Sequence, residues 1–373
     1  MSAAPFDLVE WERFCGAVVR PAARAADEQQ CVGDAVWNGL RERGYLQLFH
    51  PPSSELIYPA MAALAGACGA TFWKATLSAA LAAQMIATLG GAAAQTRWLS
   101  GIASGRQLGA FAATEAGSGS DPSSYAARLR RVGARWLLSG EKDRIANAGD
   151  AQVAAVLCQA ENEGGEPLGL ALAFVDLDDA RITRTRRRTL GLRGMTFGRL
   201  AFDGVALDDS DVTLGVTMPR ILTIVEWGQV VQILCAVGLG RAALAEAEAF
   251  LSERRSFGRP LAAHPWVRAQ LDAAGLDLDA AESIARRAVA AKIAGQVAGE
   301  QIVIAKIFCT EAGLSACQIA LRVCGGWGYT SELAVERLLR DAHGNVPAGL
   351  PNDRLRDLLV AARVGVDPWA VGP

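Results

Sequence analysis

The sequence predicts a mainly helical protein with a central β domain. Three observations carry that reading. Apolar residues recur at three and four over roughly the first hundred positions, a middle stretch breaks into short apolar or alternating runs punctuated by glycine, and long Ala- and Leu-rich helical sequence then returns. At 373 residues, against about 150 per domain, two or three packed units are expected. The changes of texture set them at 1–108 (an N-terminal helical domain), 109–218 (a middle antiparallel β domain) and 219–373 (a C-terminal helical bundle).

The N-terminal period runs through Phe6, Val9, Trp11, Phe14 and Val18 and again through Val36, Leu40, Tyr45 and Leu48, with Pro51-Pro52 as a break. Ala75 to Thr96 is free of charge and, at about 20 residues, long enough to span a bilayer on paper. Its Thr, Ser, Gln84 and Gly90-Gly91 argue instead for a small-residue helix buried among others. Between Leu108 and Leu214, the runs Leu137–Lys142, Val153–Cys158, Leu170–Val175 and Arg199–Leu207 are separated by glycines and by Asp176-Leu-Asp-Asp, the pattern of antiparallel strands. Helices resume from Ile221, with Gly238-Leu-Gly-Arg-Ala-Ala-Leu running on into Arg254.

Composition narrows the class. A hydrophobic fraction of 51% with 20% charged residues describes a core-rich soluble chain. A net charge of −2 gives no basic face for nucleic acid, so the run Arg184, Arg186, Arg187, Arg188 reads as a solvated strand edge or loop. Eight cysteines without a Cys-x-x-Cys pair read as reduced, buried thiols, and the acidic N-terminus lacks the basic start and apolar run of a signal peptide. A cytoplasmic protein without a membrane or nucleic-acid partner is expected. Three dispersed histidines give no basis for a metal site.

Two distant stretches carry the chemistry: Phe111-Ala-Ala-Thr-Glu-Ala-Gly-Ser-Gly-Ser-Asp121 and Cys324-Gly-Gly-Trp-Gly-Tyr329, the latter continuing to Arg340-Asp-Ala342. With the order helices, β domain, helices, they make the chain resemble the acyl-CoA dehydrogenase family over nearly its whole length. That resemblance implies an FAD-dependent oxidoreductase of acyl thioesters, working as a homodimer or homotetramer and passing electrons to an electron-transfer flavoprotein or to oxygen. It places Phe111, Thr114, Gly119 and Ser120 against the flavin's pyrimidine side, where glycine admits the main chain and a hydroxyl turns to suit the ring. Gly140-Glu-Lys-Asp-Arg-Ile-Ala-Asn147 corresponds to the second flavin wall, with Arg144 for the family's tryptophan and Ala146 for its hydroxyl residue, leaving main-chain donors at Ile145 and Ala146. Arg144 either stabilises an anionic reduced flavin or points outward. Arg254 and Phe257 match an Arg-x-x-Phe-Gly segment that serves a neighbouring subunit's FAD. Arg322, Gly325 and Gly326 match the passage of backbone near the adenosine pyrophosphate, and Glu336 with Arg340-Asp341 matches a structural ion network.

The same resemblance exposes an absence. Desaturating an acyl thioester requires a carboxylate over the α carbon. The family's glutamate falls at Gly349, with Ala348 and Leu350 beside it, and the alternative position on an earlier helix falls at Gly228. Glu226 lies two residues away and, at about 100° per residue, faces nearly the opposite side of its helix. Glu226 and Asp353 are therefore the candidate bases, and Ser120, Gly228 and Gly349 the candidate substrate contacts. Such a site suits a substrate whose oxidised carbon bears nitrogen or oxygen, and the Val346–Asp353 stretch resembles family members that act on aminoacyl or hydroxyacyl groups held on acyl or peptidyl carrier proteins in secondary metabolite biosynthesis. Arg181 to Arg193 would then face an acidic carrier surface. A flavin-dependent monooxygenase on the same fold, and a flavin-holding interaction protein without turnover, are the alternative readings.

Overall fold

The computed structural model describes residues 6–50, 55–119, 124–296 and 298–366. Helices fill the chain up to Ala103, strands occupy Gly109 to Leu214, and helices resume at Met218. In the first segment a helix runs over 8–29 through a π-helical turn at Cys15–Val19. Trp11 and Phe14 are buried on it, whereas Val9 and Val18 are exposed, contrary to the expected apolar stripe. Val9 stands two positions from Trp11, about 200° around the helix, and so faces water. Leu77–Ala82, in the middle of the charge-free stretch, is a π-helical segment with every residue buried.

Eight strands form one sheet: β1 (Gly109–Ala112), β2 (Arg128–Val132), β3 (Arg135–Ala146), β4 (Val153–Glu161), β5 (Pro167–Asp176), β6 (Ile182–Arg186), β7 (Phe197–Leu207) and β8 (Val212–Leu214). Their order is β6-β7-β3-β2-β4-β5-β8, with β1 also paired to β4. The sheet is mixed, because β4 pairs in parallel with both β1 and β2, while the remaining pairs are antiparallel. Periodicity reports which face a strand buries and not its direction, so the two parallel pairs were invisible in the pattern. On β4, Val153, Ala155 and Leu157 face the helical core, and Ala154, Val156 and Cys158 a second core on the other face of the sheet. The arginine-rich β6 is an edge strand, as expected; Arg184 on it donates to Ala151 O (2.9 Å).

The C-terminal segment is built on the helices Met218–Glu253, Pro265–Ile293 and Gly299–Cys324. The first and third are apolar and long enough to cross a bilayer by length and composition, yet 72% and 50% of their apolar windows are buried inside the fold. Glycine allows their close approach, as a Cβ on Gly313 would run into Ala236 O; Gly238 does the same for the first of them against the helix Ile57–Ala67, where a Cβ would sit 2.7 Å from Gly66 N. Of the eight free thiols, seven are buried and Cys31 is exposed, a departure from the all-buried expectation that follows from its place in the turn between two helices.

Gly313→Val should therefore push apart the helices Met218–Glu253 and Gly299–Cys324 and cost about 1–3 kcal/mol, as overpacking does. Gly275→Ala, whose Cβ would meet nothing within 4 Å, should gain up to about 1 kcal/mol from helix propensity. Urea midpoints of the two variants against the parent protein check both signs.

Candidate functional site

The turn after β1 is held by a buried ion pair. Lys142 on β3 is fully buried, and its Nζ donates to Glu115 Oε1 (2.8 Å) and Ala113 O (2.9 Å) beneath the Tyr125 ring (4.0 Å). Glu115 also accepts from the N–H groups of Ala126 (2.6 Å) and Ala127 (3.0 Å). Burial works to raise the Glu115 carboxyl, but Lys142 and these two donors outweigh it and hold it below the usual carboxylate range. The strand opposite bends at Gly140 (φ +120), where a Cβ would lie 2.7 Å from Ala127 Cα, and bulges between Lys142 and Ile145.

The bulge aims residues at a cavity of about 1170 Å³ between the β domain and the helices. Phe111, Ala113, Thr114 and Gly119 line one wall, Arg144, Ile145, Ala146 and Asn147 another, so the two flavin walls expected from sequence meet in one space. Ser120 lies outside the described residues. Asp143 is clamped beside this wall, accepting from Arg187 Nη2 (2.9 Å) and Nε (3.2 Å) and from Arg144 Nη1 (3.3 Å); Arg187 chiefly holds its carboxyl below the ordinary range. Arg144 thus lines the cavity with its guanidinium turned to Asp143, and Arg187, expected in water, is half-engaged in the site's wall.

Gly228 and Gly349 line the same cavity. The loop carrying Gly349 (φ +62) is tied down by Lys306, which is fully buried and donates to Val346 O (2.8 Å), Leu350 O (3.0 Å) and Asn352 Oδ1 (2.6 Å). Burial lowers the Lys306 ammonium to about 8. Glu226 lines the cavity too, contrary to the expectation that it faces away, because the lining stripe of this helix between Met218 and Gln232 is about 160° wide at 100° per residue, with Gly228 at one edge and Glu226 at the other. Its carboxylate is already paired with Lys292 Nζ at 2.6 Å. Among the described residues lining the cavity it is the one carboxylate. Asp353 must be withdrawn as a candidate base: its side chain is 98% exposed, salt-bridged to Arg356 on the outer side of the helix Asn352–Val364, and outside the cavity.

Arg254, Phe257, Arg322, Gly325 and Gly326 do not line this chain's cavity. They lie outside its lining, where Arg254 stands over the Trp327 ring (6.0 Å) and Phe257 is 89% exposed at φ +52. Arg340 bridges Asp27 (2.7 Å) and Glu336 (2.8 Å), and the buried Asp341 accepts from Leu192 N, which makes this network a scaffold as expected. Polar cavity residues given no role in the sequence reading include His343, Gln229 and Gln232, and Asn147, named there only as the end of the second wall, is another. Asn147, buried at φ +65, donates to Lys74 O (3.1 Å) and Gly109 O (3.2 Å) and leaves Oδ1 without a partner. An Asn directly after a strand, in a position that tolerates left-handed backbone, was the available signal.

The comparisons with known proteins agree with this geometry. The acyl-CoA dehydrogenase middle-domain model matches residues 110–205 and the C-terminal-domain model matches 218–362. The chain belongs to the acyl-CoA dehydrogenase family. It is an FAD-dependent oxidoreductase of acyl thioesters, as its sequence implied. A benzylmalonyl-CoA dehydrogenase of Aromatoleum aromaticum is 26% identical over 371 residues, covering 94% of this chain and 95% of the relative. A glutaryl-CoA dehydrogenase from Mycobacterium smegmatis, solved in complex with FADH2, superposes with a TM-score of 0.89 at 21% identity, over 96% of this chain and 93% of that one. The prolyl acyl carrier protein oxidase AnaB superposes with a TM-score of 0.85 at 18% identity, over 98% and 100%.

Lys142→Met leaves a buried carboxylate at Glu115 and should cost about 3–5 kcal/mol. The double variant with Glu115→Gln should recover much of that loss, because no charge is then stranded. Thermal unfolding of the three proteins, with FAD content measured alongside, checks the ordering.

Proposed function

We propose that this dehydrogenase oxidises an acyl thioester whose reacting carbon bears nitrogen or oxygen, presented on an acyl or peptidyl carrier protein. One observation carries the reading: the two positions where the family's base is expected, Gly349 and Gly228, bring no side chain to the cavity, and its one described carboxylate, Glu226, is neutralised by Lys292.

The residues present fit FAD. Small residues Ala113, Thr114 and Ala146 line the cavity beside Ile145, and the buried Asn147 Oδ1 has no donor of its own within the protein. Phe111, Thr114, Gly119, Ile145 and Ala146 would hold the ring. Bound FAD supplies a two-electron acceptor for the hydride that leaves the reacting carbon. When that carbon carries an amine or hydroxyl, its C–H electron pair departs as hydride, the N–H or O–H proton goes to solvent or to His343 on the cavity wall, and a C=N or C=O bond forms. No carbon acid has to be deprotonated, so no strong carboxylate base is needed. That AnaB, which shares the fold, is an oxidase of a prolyl carrier protein supports a carrier-bound aminoacyl group as substrate. Electrons then pass to an electron-transfer flavoprotein or to oxygen.

A homo-oligomer is part of this proposal. The surface bearing Arg254 also exposes Phe257 (89%), Tyr329 (83%) and Trp327 (47%), an aromatic patch suited to a second copy of the chain. Arg254 and Phe257, with Arg322, Gly325 and Gly326, would there serve the neighbour's FAD. Diluting the enzyme until it dissociates should release FAD, followed by recovery of flavin fluorescence beside sedimentation velocity, and Arg254→Ala should weaken FAD retention. A monomer that keeps stoichiometric FAD contradicts the shared site.

Anaerobic mixing with butyryl, 2-hydroxybutyryl and 2-aminobutyryl thioesters tests the chemistry through bleaching of the oxidised flavin band. The plain substrate should be slowest. Gly228→Glu should speed it by about a hundredfold or more, the usual scale of general-base catalysis, with little gain for the other two. Gly228 is the better host than Gly349: a Cβ there meets Leu81 at an ordinary 3.7 Å, whereas Gly349 combines φ +62 with a 3.3 Å approach to Gln232. Rapid flavin reduction by the butyryl thioester in the unmodified protein would refute the proposal.

A further inference from the structure

The geometry points to Gln232 as the residue that recognises the heteroatom of the substrate, its carboxamide oxygen accepting a hydrogen bond from an N–H or O–H on or next to the reacting carbon. This rests on the reading of the reaction just given and adds to it a specificity-determining residue.

Gln232 sits on the helix Met218–Glu253, one turn beyond Gly228 and on the same face, and both line the cavity. It is 5% exposed, and its Oε1 is buried without a hydrogen-bond partner. Across the cavity wall its amide nitrogen lies 3.3 Å from where a Cβ of Gly349 would stand. The carboxamide therefore occupies the space beside both positions from which a base is missing. Its neighbours on the helix, Val231, Ile233, Leu234 and Cys235, are buried and apolar, so the amide is a polar group set into an apolar helix wall. A buried amide oxygen with no donor costs about 1–3 kcal/mol, and a ligand that supplies the donor removes that cost. A saturated acyl chain has no such donor; an amine or hydroxyl on the reacting carbon does.

Gly349 is what leaves room beside this amide, since a Cβ there would stand 3.3 Å from its Nε2 and 4.0 Å from its Oε1. A side chain at that position would be directed at Gln232, and the left-handed backbone there favours glycine. The absent base and the open amide are two aspects of one arrangement: a position that could remove a proton from carbon has been given up, and the space admits a group that hydrogen-bonds the substrate's heteroatom.

The experiment is isothermal titration of the oligomeric, FAD-loaded protein with the pantetheine thioesters of butyrate, 2-hydroxybutyrate and 2-aminobutyrate, with dithionite-reduced flavin so that binding is read without turnover. The unmodified protein should bind the hydroxy and amino compounds about tenfold more tightly than the butyryl compound, the scale set by satisfying one buried acceptor. Gln232→Leu should abolish that difference while leaving butyryl affinity within about twofold, because the hydroxy and amino groups then meet no acceptor. Gln232→Glu, which keeps an acceptor oxygen, should preserve it, and serves as the second variant if the leucine protein does not fold. Equal affinities for the three compounds in the unmodified protein, or an unchanged preference in Gln232→Leu, overturn the inference. Its failure is separable from that of the reaction proposed above: heteroatom preference in flavin reduction that survives Gln232→Leu leaves the reaction standing without this residue, whereas tight, Gln232-dependent binding of compounds that never reduce the flavin retains the recognition and discards the reaction.

Discussion

The buried Lys142–Glu115 pair is the constraint from which the site follows. A charge pair sealed from water is expensive unless each partner is satisfied, and here every part of it does structural service: the ammonium also holds Ala113 O, the carboxylate also holds the N–H groups of Ala126 and Ala127. The pair therefore ties together the turn after β1, the strand opposite and the two residues just before β2. The bulge that follows Lys142 then has a fixed origin, and Arg144, Ile145 and Ala146 face the turn bearing Thr114 across the cavity.

That unit makes only part of a site. The remaining walls come from helices on either side, and polar ties of a different kind hold them to it. Arg340 joins Asp27 of the N-terminal segment to Glu336 of the C-terminal one, and Asp341 reaches Leu192 in the loop before β7. Burial pushes the Asp341 carboxyl up to about 6, so this tie is held at some cost in desolvation. Lys306 does for the Gly349 loop what Lys142 does for the turn after β1, since both are buried lysines that donate to backbone carbonyls of an irregular segment. Irregular backbone next to a cavity has few partners of its own, and a long side chain reaching in from a helix or strand supplies them.

The chemistry reads as a distribution of polarity around one cavity. Carboxylates are abundant around this cavity, at Glu115, Asp143, Glu226 and Asp341, but each is committed to a cation or to backbone N–H groups. Two neutral acceptors on lining residues are left uncommitted: the buried carbonyl oxygens of Asn147 and Gln232. Neutral acceptors orient a substrate's donors without competing for its protons, and that fits an oxidation in which the substrate brings its own acidic hydrogen.

Sequence alone determined the order helices, sheet, helices, the two segments around Thr114 and Ile145 that line one cavity, and the lack of an acid at positions 228 and 349, because apolar period and short glycine-bearing motifs are local properties of the chain. It could not determine strand direction, so the parallel pairing of β4 with β1 and β2 emerged only in three dimensions. Nor could it rank the two candidate bases: Asp353 and Glu226 are equally acidic on paper, and only folding turned the first to solvent and brought the second into the cavity beside Lys292. Gln232 was hidden for the same reason. A glutamine in an apolar helix carries no signal until Gly349, far along the chain, comes to lie beside its amide, and that proximity belongs to the tertiary structure alone.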